Sequence, residues 1–291
     1  VSSRRRRPRP SLQRDPTHHI GRAGTLAIQY VHDGSRTVFG RTKSQTPWHL
    51  FPPIYLDESG AAYTLLLNPS GGLVGGDHLR LDIRLETGTH VLVSTPAANR
   101  VYRSLSEESF QEITLSLAPR AILEWFPEQT IPFAESRFRQ SIEVTLARGA
   151  TVLLWDAVAS GRIARGERWA FTSLCNDIRV VMPTGATIRE RYDINPGSVG
   201  LAGDWDYVAS LFIVGDGADS ATRDRLESEL AMQLDGHKGA LLGGVSRPEG
   251  PAVAVKLVAR SAHVLTEVSD RLRHTVRRVL WGLPAVTLRK Y

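Results

Sequence analysis

The segment Leu79-Arg80-Leu81-Asp82-Ile83-Arg84-Leu85-Glu86-Thr87-Gly88-Thr89-His90-Val91-Leu92-Val93-Ser94 decides the fold. Its first half alternates: Leu79, Leu81, Ile83 and Leu85 share one face, and Arg80, Asp82 and Arg84 the other. That is the period-two signature of a strand with one buried side. A short turn through Gly88 follows, and the next run is more continuously apolar. The same grammar recurs at Leu117-Ala118-Pro119-Arg120-Ala121, Leu146-Ala147-Arg148-Gly149-Ala150 and Met182-Pro183-Thr184-Gly185-Ala186. Each turn lies between an alternating strand and a more apolar one. The recurrence predicts stacked hairpin units, one-sided alone and buried by their neighbours. The expected fold is mainly β, a β-solenoid-like helical stack of hairpins; a plain β-sandwich is the alternative.

Two helices are expected near the C-terminus. Residues 220–234 start in an Asp-Ser cluster, place Leu226, Leu230 and Leu234 four apart, and stop at Gly236. Residues 263–281 put Leu265, Val268, Leu272, Val276 and Val279 on one face and stop at Gly282 and Pro284. Arg271, Arg273, Arg277 and Arg278 fall on the other side, where basic residues complement a helix C-terminus. Residues 239–246 and 252–259 read as strands between the helices, which argues for one interleaved unit over residues 20–291.

Formal charge is +6, and its placement matters more than its size. Arg4, Arg5, Arg6, Arg7, Arg9 and Arg14 account for it, and without them thirty basic residues face thirty acidic ones. Residues 1–19, with Pro8, Pro10 and Pro16, read as a disordered basic arm on a neutral body. A nucleic-acid-binding domain carries its basic surface on the fold itself, so the arm reads as an electrostatic tail. No apolar stretch of a secretory signal follows it, and no run approaches the ~20 residues of a membrane span. The single cysteine, Cys175, excludes internal disulfides and a cysteine-based zinc site. A cytoplasmic location, with neither nucleic acid nor membrane as partner, is expected.

Before the opening segment stands Asn68-Pro69-Ser70-Gly71-Gly72-Leu73-Val74-Gly75-Gly76-Asp77. Gly71, Gly72, Gly75 and Gly76 mark positive φ or close backbone approach. A Walker-type phosphate loop needs Gly-Lys-Ser/Thr, whereas Asp77-His78 stands here. The dinucleotide fingerprint opens a helix, whereas a strand follows. The run is therefore a tight structural turn that delivers Asp77. Ser94, Thr95 and Pro96 then end a strand, and Arg100, Tyr102 and Arg103 form a basic-aromatic cluster suited to an anionic partner, or a solvated loop. Glu124 and Asp156 both sit inside apolar strands, where an unpaired carboxylate is costly and needs a partner, water or a cation. Arg162 and Glu167 lie across a glycine-bounded turn and are placed to pair.

The acids admit a glycoside hydrolase, in which two carboxylates flank the scissile bond. Serine-histidine catalysis is disfavoured, since no histidine sits in a nucleophile motif and G-x-S-x-G is absent. Metal-binding spacings of histidine or cysteine are also missing, and His18-His19 lies in the arm. The interior acids suit transient oxygen ligation, not tight metal storage.

Four motifs in register carry a resemblance. Residues 68–77, Thr95-Pro96-Ala97-Ala98 with Val101-Tyr102-Arg103-Ser104, residues 123–133, and Trp155-Asp156 followed by Gly161-Arg162 and Gly166-Glu167-Arg168-Trp169 resemble the UreD (UreH) family of urease accessory proteins. The likeness runs from about residue 20 to 195 and more weakly to the end. It implies a mostly β helical stack with few helices and no catalytic activity. It implies binding to apo-urease and to UreF, and through UreF to the GTPase UreG, in the delivery of nickel. It further implies a polar internal passage along which Asp77, Ser94, Glu124, Asp156, Arg162 and Glu167 stand, with Ni²⁺ held transiently by Asp77, Glu124, Asp156 and Glu167 and no tightly bound cofactor. A scaffold that conducts no metal is the alternative. His78, Asn99-Arg100 and the ending Leu288-Arg289-Lys290-Tyr291 depart from the family pattern.

Overall fold

The computed structural model describes residues 21–195, 203–236 and 239–288. The basic arm and the last three residues lie outside the described residues.

In chain order the strands are β1 (Ala23–Asp33), β2 (Arg36–Ser44), β3 (His49–Leu50), β4 (Ala62–Leu67), β5 (His78–Leu85), β6 (His90–Ser94), β7 (Asn99–Val101), β8 (Ser109–Leu117), β9 (Ile122–Phe126), β10 (Thr130–Pro132), β11 (Arg137–Leu146), β12 (Thr151–Ala159), β13 (Ser173–Val181), β14 (Thr187–Ile194) and β15 (Tyr207–Gly215). Helix α1 (Ser220–Asp235), β16 (Leu241–Ser246), β17 (Ala252–Ala259) and helix α2 (Ala262–Trp281) complete the chain. Both expected helices are present at their expected ends.

Two sheets face each other. The smaller runs β14-β13-β11-β8-β5-β1-β2, and the larger runs β16-β17-β15-β12-β9-β6-β4-β3. The repeating units stack as expected, with a particular geometry. In each of the first three units the alternating strand lies in the small sheet and its successor in the large one. The turn between them is an arch across the core, and every strand pairs in parallel with its counterpart in the next unit. β5, β8 and β11 form one such set, and β6, β9 and β12 the other. Only the fourth unit, β13 and β14, folds back as an antiparallel hairpin.

This architecture explains the difference between the two strands of each unit. The small sheet covers the core with one face and meets solvent with the other, so its strands alternate. The central strands of the large sheet are covered on both faces, while the edge strand β16 is largely exposed. One face meets the small sheet, and the other is roofed by α1 and α2 through Leu226, Leu230, Leu265, Val268, Leu272 and Val276. Its central strand β12 is buried at every residue.

Register is kept across the stack. Leu26, Leu81, Ile113, Ile142 and Ile178 form one rung of the small sheet. The arches stack as well, through Gly88 N–H to Pro119 O (3.1 Å), Ala118 N–H to Leu85 O (2.9 Å) and Ala147 N–H to Leu117 O (2.9 Å). The arch requires a left-handed residue, at φ 73° for Gly88 and 75° for Gly149. Arg120 takes the same slot at φ 59°, a conformation that an L-residue adopts at some cost.

Candidate functional site

The inward face of the small sheet has one polar rung. Two residues before the isoleucine rung, Gln111, Gln140, Asn176 and Tyr192 stand in register on β8, β11, β13 and β14. Asp156 faces them from β12 of the opposite sheet. Its Oδ1 accepts from Gln140 Nε2 (2.9 Å), and its Oδ2 from Asn176 Nδ2 (2.8 Å) and the Tyr192 hydroxyl (3.2 Å). Gln140 Nε2 also donates to Asn176 Oδ1 (3.1 Å), and Asn176 Nδ2 to the Tyr192 oxygen (2.9 Å). All the donors around this carboxylate are uncharged. Burial raises its pKa to about 6 against the stabilising hydrogen bonds, and burial also pushes the Tyr192 phenol well above its ordinary value.

A cavity of about 140 Å³ reaches this carboxylate from one end of the sheets. Its inner wall includes Gln140, Asp156, Gln111 and Trp125, and its mouth includes Gly71, Gly72 and the 95–100 segment. Asn99 Nδ2 donates to Gln111 Oε1 (3.0 Å) and joins mouth to rung. The glycine run shapes that mouth. Leu73 N–H donates to Arg100 O (2.8 Å) and Tyr102 N–H to Leu73 O (2.8 Å), which lays the run against β7. A Cβ on Gly72 would lie 2.3 Å from Arg100 O, so only glycine permits the approach.

Asp77 is buried, and the local backbone uses both of its oxygens. Oδ1 accepts from Arg22 N–H (2.9 Å) and Oδ2 from Val74 N–H (3.0 Å). It ties the glycine corner to the start of β1. Ser94 is likewise buried and donates to Phe126 O (2.6 Å).

Glu124 occupies the other face of the large sheet. It is in register with Leu153, whereas Asp156 shares a face with Leu154 and Val158. The two carboxylates therefore point away from each other through the sheet. That arrangement excludes a glycosidase pair, because no sugar can lie between them. Glu124 is fully buried under α2, where its Oε1 accepts from His90 Nε2 (2.8 Å) and pairs with Arg277 Nη1. Arg277 also pairs with Asp57 through Nη2 and donates from Nε to Pro284 O (3.0 Å). Arg273, also fully buried, donates to Val286 O (2.8 Å) and lies over the Phe126 ring at 5.8 Å. The helical period places Arg273 and Arg277 among the solvent-side arginines of α2. The structure corrects this: both are inside, clamping the 283–288 segment and two carboxylates to the sheet.

Glu167 forms the pair that the sequence allowed. Arg162 Nε donates to its Oε2 (2.7 Å), Arg162 Nη2 pairs with Oε1, and Ala134 N–H donates to Oε2 (3.1 Å). The Arg162 guanidinium holds the Glu167 pKa below its usual range. Arg162 lies 4.3 Å over the Phe133 ring, and Phe133 meets Tyr102 edge-on at 5.1 Å. Arg103 pairs with Glu135 (2.6 Å) at the surface.

The structure thus holds Asp77, Glu124, Asp156 and Glu167 in four separate environments. Among the described residues no three histidine, cysteine or acidic side chains converge on one point. Gln111, Gln140, Asn176 and Tyr192 were not singled out from the sequence, yet a signal is present there. In β8, β11 and β13 a polar amide sits two residues before Ile113, Ile142 and Ile178, on the apolar face.

Comparison with known proteins places this geometry. Residues 22–290 match the family model described as UreD urease accessory protein. A protein named urease accessory protein UreD 2 from Streptomyces griseus is 32% identical over 282 residues, covering 92% of this chain and 94% of that protein. UreD proteins from Deinococcus radiodurans (32% over 275 residues, 92% and 95% covered) and Cupriavidus pinatubonensis (31% over 278 residues, 91% and 92% covered) align over similar lengths. The match spans the stacked β body, the cavity and the helical roof alike. The chain belongs to the UreD family of urease accessory proteins, which are accessory proteins and not enzymes.

Proposed function

We propose that this protein is a cytoplasmic maturation factor that binds apo-urease and UreF, and UreG through UreF, and that it passes Ni²⁺ along the inter-sheet cavity to urease. The observation that carries the metal part of this reading is Asp156. It is a buried carboxylate surrounded by neutral amides and a phenol at the inner end of a cavity. A carboxylate with only uncharged donors retains its capacity for a cation. Carboxylate and amide oxygens hold a borderline metal more weakly than imidazole or thiolate would. Weak ligation is what a passage needs, since the metal must leave. Nickel here is cargo and not a resident cofactor.

The test is urease activation in cells that co-express urease with its accessory proteins. Asp156→Ala is expected to lower nickel incorporation by about 10–100-fold, while the variant still co-purifies with urease and UreF. Full nickel loading by Asp156→Ala would remove the passage and leave a scaffold that conducts no metal. That second reading has its own support, because Glu124 and Glu167 are each already paired with a guanidinium group.

A further inference from the structure

β7 and β10 form a short parallel ribbon, attached to the large sheet where Thr130 pairs with Val158. The ribbon is a wall with two different faces. Asn99 and Thr130 line the inter-sheet cavity, whereas Ile131 lines a separate outer cleft of about 520 Å³ and Arg100 borders both. The cleft has an apolar floor made by Tyr102, Ile131 and Phe133, and its rim carries Arg100, Arg162 and Arg165.

The charges on that rim do not balance. Arg162 is committed to Glu167 and to the Phe133 ring. Glu167 is also the acid that feels Arg165, but its two oxygens are already bonded by Arg162 and Ala134 N–H. Among the described residues the Arg165 and Arg100 guanidinium groups make no hydrogen bond and no direct ion pair. Both residues are exposed. The body as a whole is nearly neutral and pairs most of its surface arginines, as in Arg80–Glu112, Arg139–Glu108 and Arg189–Asp177. Arg100 and Arg165 thus stand without a direct ion pair on the rim of one half-buried aromatic cleft, and give that rim a net positive charge. Arginine and tyrosine around an apolar floor are also the composition of an interface anchor.

We infer that this cleft binds an acidic peptide segment of a protein partner, with an aromatic or aliphatic side chain on the Tyr102–Phe133 floor and carboxylates on Arg100 and Arg165. The inference rests on the accessory-protein reading and adds where a partner docks and by what chemistry. It also puts the docked segment one strand away from the cavity, because the β7–β10 ribbon is common to both.

The test uses the full chain and fluorescein-labelled hexapeptides: Glu-Glu-Phe-Leu-Glu-Glu, its glutamine counterpart Gln-Gln-Phe-Leu-Gln-Gln, and Glu-Glu-Ser-Ser-Glu-Glu. Binding is read by anisotropy at low salt and at about 0.5 M salt, where exposed charge pairs are screened. The acidic peptide with Phe-Leu should bind tightest, and the Arg100→Glu/Arg165→Glu double variant should weaken it about tenfold. Arg148→Glu, an exposed reversal on an arch, should leave it unchanged and so control for attraction to the N-terminal arginines. Equal binding of the glutamine peptide, or an unaffected double variant, overturns the inference. Urease activation is measured in parallel. If the double variant activates urease and binds its partners like the wild type, the cleft inference fails while the accessory role stands. If the wild-type chain itself supports no activation, the accessory reading fails, whatever the peptide result.

Discussion

Asp156 and Glu124 are buried carboxylates on neighbouring strands of one sheet, and their surroundings have opposite character. Glu124 meets Arg277 and His90, and Asp57 shares the same arginine. Asp156 meets Gln140, Asn176 and Tyr192, none of them charged. One carboxylate is neutralised by a fixed cation and holds the helical roof to the sheet. The other is left without a cation at the end of a cavity. A buried acid is thus not informative by type alone: what faces it decides whether it is a clamp or a carboxylate held only by neutral donors.

The largest test of this contrast is removal of the fixed cation. Arg277→Ala leaves Glu124 and Asp57 buried without their shared partner and frees the 283–288 segment. Breaking a buried ion pair from one side costs about 3–5 kcal/mol, so urea unfolding should show a loss of that order, or expression should fail. A variant that unfolds within about 1 kcal/mol of wild type would show that Glu124 is no clamp.

The next effect is smaller and depends on pH. Asp156 has a folded pKa of about 6, against an ordinary value of 3.8. A carboxyl raised by folding binds its proton more tightly in the native state, so between about pH 4 and 6 rising pH takes stability away. Asp156→Asn carries no such penalty. The stability of the variant relative to wild type should therefore climb by up to about 2–3 kcal/mol from pH 4 to pH 7, as read from denaturant midpoints across the range. A pH-independent difference would mean that Asp156 is already balanced by a cation, and the comparison would collapse. Divalent metal should narrow the same difference, because it stabilises the ionised wild-type carboxylate.

Glu167 supplies the smallest effect. It is paired like Glu124 but lies near the surface, where water screens the pair. Glu167→Gln keeps the acceptor for Ala134 N–H and should shift the melting temperature least of the three variants. A loss as large as that of Arg277→Ala would show that cation pairing, and not burial, sets the scale of the clamp.

Much of this fold was legible in the chain. The alternation of residues 79–85, the recurring turns with their glycines at Gly88, Gly149 and Gly185, and the stop signals of both helices all act within a few residues, whereas the left-handed backbone at Arg120 is seen only in the structure. The polar rung was present in the sequence as amides two residues before Ile113, Ile142 and Ile178, but a single strand does not reveal that such residues line up. The pairing of Arg162 with Glu167 was also readable, because the partners are five residues apart.

The sequence by itself determined what short-range physics controls: which segments are strands or helices, where the chain must turn, and that two acids lie in apolar runs. Only the tertiary structure decided which face each acid takes. The side chains of a strand alternate, so the facing of Glu124 relative to Asp156 depends on the register of β9 against β12, which pairs Glu124 with Leu153. Likewise only packing joined Glu124 to Arg277, 153 residues away, and turned two arginines of an amphipathic helix inward. Local propensity carries no record of a partner that distant. The difference between a clamp and an open carboxylate is therefore written in contacts that exist only once the sheets and the roof have met.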